Sequence, residues 1–146
     1  MRWSPEPGTD GPGMRPRLRW TETELRAHDE GTYVVWRLAS TIVVGALHDN
    51  ATIVFVKKAS ATKLVVHYAI EGSLVEAMAP PANLHVALVV QLMTLCGPLE
   101  VDPGARSEFD LIREDGTLLV AHAICGSNEW GLTATLRLAP PPRVLS

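Results

Sequence analysis

A chain of 146 residues has the length of one ordinary domain and can bury roughly two thirds of the surface its unfolded form exposes. With 47% apolar, 20% charged and 5% aromatic residues it has the composition of a soluble globular domain rather than of a disordered or coiled chain. A net charge of −3 and a pI near 5.9 give no global electrostatic reason to bind nucleic acid or an anionic membrane.

The first 20 residues hold four prolines and three glycines without an apolar period. They bury too little to offset the entropy of ordering, so a flexible leader is expected over residues 1–30, with the basic run "RPRLRW", Arg15 to Trp20, solvated. A domain over residues 31–139 follows, and a Pro-rich tail over 140–146 closes the chain.

"TYVVWRLASTIVVGALHDN" places Val35, Leu38, Ala39, Ile42 and Ala46 at helical spacing and stops at Asp49-Asn50. Gly45 works against that helix by about 1 kcal/mol, so tertiary packing must hold it. "TIVFV", Thr52 to Val56, is a continuous apolar run and reads as an inner strand covered on both faces. A longer strand, Lys63 to Glu71, meets Ser73 to Met78 across Glu71-Gly72, a connection with hairpin chemistry.

"PPANLHVALVVQLMTLCG" repeats leucine at 84, 88, 92 and 95 in one helical stripe, with Pro81 in the first turn and Gly97 at the cap. Phe109 to Ile112 and Thr117 to Ile124 flank Asp115-Gly116, a second hairpin signal, and Thr133 to Leu138 alternates as a closing strand. Five to six strands, antiparallel or mixed, with two main helices give an α/β (α+β) two-layer sandwich of PAS-like outline. That outline names no function.

No phosphate-binding G-x-x-x-x-G-K-[ST] loop, G-x-S-x-G elbow or H-E-x-x-H pair occurs, so no catalytic constellation and no cofactor is expected. The five histidines lack ligand spacing and neither cysteine lies in a C-x-x-C, which argues against a metal site. Cys96 and Cys125 read as small hydrophobes of a reducing compartment, and Glu100, Asp102, Glu108 and Asp110 as a solvated acidic patch. The longest apolar runs, Val34 to Leu47, broken by Arg37, and Leu84 to Cys96, which reaches 13 residues, both fall short of the roughly 20 that span a bilayer. A cytoplasmic location without membrane insertion is expected.

In the order of its segments the chain resembles the N-terminal N2 domain of the type II secretion and type IV pilus assembly ATPases. That domain typically runs through a helix, "ASDIHIEP", "VRYRIDGVL", a Pro-Pro-led helix, "LPQDGRF" and "GEKVVMRLL". Here "VVWRLASTIVVGAL", "ATIVFVKK", "VVHYAIEGSLVEAM", "APPANLHVALVVQLMTLCG" and "GLTATLRL" match in order over about residues 31 to 139. The departures bear on function. The family's Asp, His and Glu fall on Ile53, Phe55 and Lys57. The arginine before its turn is Ala69, its aspartate is Glu71, another arginine is Glu108, and a later one falls near His122.

In the family such cationic groups face nucleotide, and arginine suits phosphate through its planar fork, which neither Ala69 nor Glu108 can replace. The chain ends at Ser146, where the family's linker to its P-loop motor begins, so the resemblance implies a stand-alone, degenerate copy without ATP hydrolysis.

The resulting expectation is a non-catalytic interaction or regulatory module. Its partner would be a protein: a secretion or pilus assembly ATPase, or a copy of itself. Its candidate interaction face is Ile53, Phe55, Lys57, Ala69, Glu71, Glu108 and His122. Two other readings stay open: a PAS-like small-molecule sensor whose pocket would draw on Phe55, Met78, Met93 and Trp130, and residual nucleotide binding.

Overall fold

The structure, a computed structural model, describes residues 18–28, 34–95, 97 and 100–141. Its elements in chain order are β1 (Leu18–Thr21), α1 (Glu22–His28), α2 (Val34–His48), β2 (Ile53–Ser60), β3 (Lys63–Ile70), β4 (Ser73–Met78), a short 3-10 turn (Ala82–Leu84), α3 (His85–Thr94), β5 (Arg106–Ile112), β6 (Leu118–Asn128) and β7 (Gly131–Ala139). The strands form one sheet in the order β1-β5-β6-β7-β2-β3-β4. Two three-stranded meanders meet where β2 pairs antiparallel with β7, and β1 adds to the far edge in parallel with β5.

The chain is thus mixed α/β with the two main helices expected, α2 and α3, but the sheet has seven strands, not five to six, and a short third helix, α1, is added. The additional pieces, β1 and α1, lie inside residues 1–30, which the sequence reading assigned to a flexible leader. Residues 1–17 and the tail from 142 lie outside the described residues. The local reason for the correction is a reciprocal cap at the start of α1. Thr21 N–H donates to Glu24 Oε1 at 2.9 Å, and Glu24 N–H donates to Thr21 Oγ1 at 3.0 Å, satisfying two backbone donors that a helix start leaves open. Trp20 fastens β1 by donating from Nε1 to the Leu95 carbonyl at 2.8 Å and tilting its ring against Trp36, centroids 5.5 Å apart.

All three helices lie on one face of the sheet. Leu25 of α1, Ile42, Val43 and Ala46 of α2, and Leu88, Leu92 and Met93 of α3 share one core with Val54, Val66, Phe109, Leu111, Ala123 and Leu136 from the strands. Gly45 is explained by that packing. Tyr68 of β3 donates its hydroxyl to the Ile42 carbonyl at 2.6 Å, and a Cβ on Gly45 would stand 2.8 Å from the same hydroxyl oxygen. No helix among the described residues is long and apolar enough to cross a membrane.

β2 corrects a second expectation. Val54 and Val56 are buried in the core, but Ile53, Phe55 and Lys57 are only half-buried, so the strand is covered on one face, not two. A continuous apolar run reports no face, and here the second face is the one the helices leave open.

Candidate functional site

Because strand side chains alternate, a residue's face follows from its neighbours. The residues between Val54, Tyr68, Ala123 and Leu136 of the core therefore occupy the face opposite the described helices, the helix-free face as far as the described residues go. Cross-strand pairing then draws one row across six strands: Glu108 opposite His122, His122 opposite Arg137, Arg137 opposite Ile53, Ile53 opposite Ala69, and Ala69 opposite Leu74. The next row runs Arg106, Ile124, Thr135, Phe55, His67 and Glu76. Lys57 lies opposite Val65 beyond it.

Six of the seven residues singled out from sequence, Ile53, Phe55, Lys57, Ala69, Glu108 and His122, thus come together on one surface. Glu71 does not. It sits with Gly72 in the two-residue loop between Ile70 and Ser73, and both have positive φ, +50° and +81°, as a type I′ hairpin turn requires. Glu71 is therefore a turn residue at the tip of the β3–β4 hairpin.

The face is polar at the β5–β6–β7 end and apolar toward β2, β3 and β4. At the polar end His122 Nδ1 lies 2.9 Å from Glu108 Oε2, and Arg19 reaches Asp110 at 3.8 Å. The acidic patch expected around Pro103-Gly104 is therefore divided, since Glu108 and Asp110 are strand residues with basic partners while Glu100 and Asp102 stand in the preceding loop. A shallow depression of about 340 Å³ lies over Arg106, Ser107, Glu108, His122, Ile124 and Arg137. Val65 and Val120 alternate onto this face too, yet each is 1% exposed, so the face is covered at those two positions.

Arg106, Ile124 and Arg137 were not singled out from sequence. The signal was present in "GLTATLRL": Ala134, Leu136 and Leu138 alternate with Thr133, Thr135 and Arg137, so a buried arginine-free face and an exposed one bearing Arg137 follow from period two.

Other expected sites do not assemble. Of the four residues considered for a sensor pocket, Met93 is in the helix-side core, Met78 packs partly against it, Phe55 is on the opposite face and Trp130 is exposed in the β6–β7 turn. They lie on both sides of the sheet and at one of its turns and so do not converge. Burial pushes the Cys125 thiol up, the Asp102 carboxylate adding to the effect, which disfavours the thiolate a nucleophile needs. Cys96 lies outside the described residues. No cluster of His, Cys, Asp and Glu suited to a metal ion occurs among the described residues. His85, though buried, is used structurally. Its Nε2 lies 2.6 Å from the Leu132 carbonyl, and its ring lies so close to Gly131 that a Cβ there would meet it at 2.9 Å.

No protein-family model matches the chain, and no curated protein matches it.

Proposed function

We propose that the protein is a non-catalytic interaction module of the bacterial cytoplasm, related to the N2 domain of the type II secretion and type IV pilus assembly ATPases, that docks a protein partner on its helix-free sheet face. The partner is an assembly ATPase of such a system or a second copy of the chain.

The observation that carries this reading is the row from Glu108 to Leu74. Six of the seven positions at which the resembling family holds polar and cationic groups, here Ile53, Phe55, Lys57, Ala69, Glu108 and His122, fall on this one face, Glu71 alone lying in the hairpin turn. An open sheet face ordinarily alternates with polar residues. Half-exposed Ile53, Phe55 and Ile124 on it, continued by Leu74 at 59% exposure, form an apolar strip of the kind that marks a contact surface.

The test is a pull-down of the purified chain with the host's assembly ATPases, their platform proteins and itself. Capture of one of them, lost on Phe55→Asp while the variant keeps its circular dichroism, is the expected result. Empty pull-downs throughout, or capture that Phe55→Asp leaves intact, would reject the reading.

A further inference from the structure

Resting on that docking face, we infer the partner's chemistry: a carboxylate-bearing segment, acidic residues set beside apolar ones, gripped by Arg106 and Arg137 on either side of Ile124. The inference comes from the charge balance of the face. Asp110 lies 3.8 Å from Arg19 and Glu76 3.3 Å from Lys63. Glu108 lies 2.9 Å from His122 Nδ1, an ion pair only when that imidazole is protonated, so at most one carboxylate on the face stands against three cations. Arg106, Arg137 and Lys57 have no ion-pair partner among the described residues. A chain of net charge −3 therefore presents unneutralised positive charge on this surface and carries its acidic excess elsewhere, on Glu22, Glu24, Glu71, Glu114 and Asp115 among others.

The two arginines stand on β5 and β7, with β6 between them and one residue pair of offset. Strand spacing puts their Cα atoms roughly 12 Å apart. Arms of about 6 Å then let the two guanidinium forks converge on one carboxylate, or take two from alternate residues of an extended segment. Between them Ile124, and beyond them Ile53 and Phe55, offer apolar area to the residues beside the acids.

A free phosphate ligand fits less well. The depression is shallow, whereas small-molecule sites enclose about 70–90% of their ligand's surface. The Glu108 carboxylate at its margin also opposes a doubly charged phosphate more than a singly charged carboxylate. A protein segment can cover the depression and continue onto the apolar strip.

The experiment is a selection from a displayed random 12-residue peptide library on the purified full chain, repeated on the Arg106→Glu/Arg137→Glu variant, with both proteins checked for fold by amide NMR spectra. Enriched peptides are expected to carry Asp or Glu beside apolar residues and to shift the resonances of residues 53, 55, 124 and 137. They should bind at least about tenfold more weakly to the double variant and about fivefold more weakly on raising salt from about 50 to about 300 mM. Arg106→Lys/Arg137→Lys should keep part of the affinity, because charge survives while the fork is lost.

Enriched peptides without acidic residues that still map to Ile53 and Phe55 would overturn the acidic-partner inference and leave the docking face standing. ATP binding tighter than about 100 μM at the same arginines would overturn it in favour of a phosphate ligand. Peptides that map only to the helix side, or no enrichment at all, would overturn both.

Discussion

At the residue scale the tightest local fit is Gly45 under Tyr68. Glycine inside a helix costs about 1 kcal/mol relative to alanine, so Gly45→Ala ought to stabilise α2 by that amount. The Cβ it adds would lie 2.8 Å from a hydroxyl that is held at 2.6 Å on the Ile42 carbonyl. Displacing that buried hydroxyl costs about 1–3 kcal/mol, which outweighs the propensity gain. Gly45→Ala is therefore expected to lower unfolding stability by about 1–2 kcal/mol in denaturant titration, but to be neutral or stabilising in a Tyr68→Phe background. There the next contact is a ring carbon at 3.7 Å.

Tyr68 also sets a pH response. Burial pushes its hydroxyl up to about 12, with the Asp49 carboxylate adding, while in the unfolded chain it ionises near 10. The native state resists ionisation, so this contribution is complete below pH 10 and is lost as pH rises from 10 through 12. Thermal melts over that window should show a decline that Tyr68→Phe reduces. Glu71, a non-glycine residue at φ +50°, offers a third residue-scale test: Glu71→Asn should raise stability by about 0.5–1 kcal/mol, since asparagine tolerates the left-handed region.

Elements separate what the sequence displayed from what it hid. The strands around Glu71-Gly72 and Asp115-Gly116 were readable because turn residues and apolar runs agreed, and β4 spans Ser73–Met78 as the pattern indicated. β1 and α1 were not read, because proline and glycine dominate the residues just before them. Yet Thr21-x-x-Glu24 is a capping signal, and it belongs to the helix that forms. The rest of α1's attachment is tertiary and has no local trace. Glu22 accepts Arg26 Nη2 at 2.7 Å and the backbone N–H of Glu114 at 3.1 Å, while Arg26 Nε reaches Glu114 at 3.0 Å, tying α1 to the β5–β6 turn. Glu22 is almost fully buried, so Glu22→Ala strands the Glu114 amide and should cost about 1–3 kcal/mol, with amide exchange rising across α1 and β1. Arg26→Ala, at an exposed position, should cost under about 1 kcal/mol.

At the scale of the whole molecule, one face carries the helices and the core, and the other carries nearly every position that sequence reasoning had marked. Period-two alternation could assign residues to faces within a strand, but the order β5-β6-β7-β2-β3-β4 is not local information, and only that order sets Glu108 and His122 in line with Ile53 and Ala69. Period two marks Arg137 as an outward residue of β7, but its place as the link between the two halves of that row depends on the strand order. The most direct test of the docking face is photo-crosslinking in host cells, with benzoyl-phenylalanine placed singly at Phe55 on the open face and at Val86, 56% exposed on α3. Discrete protein adducts from position 55 and none from position 86 are the predicted result; adducts from position 86 alone, or from neither, would contradict it.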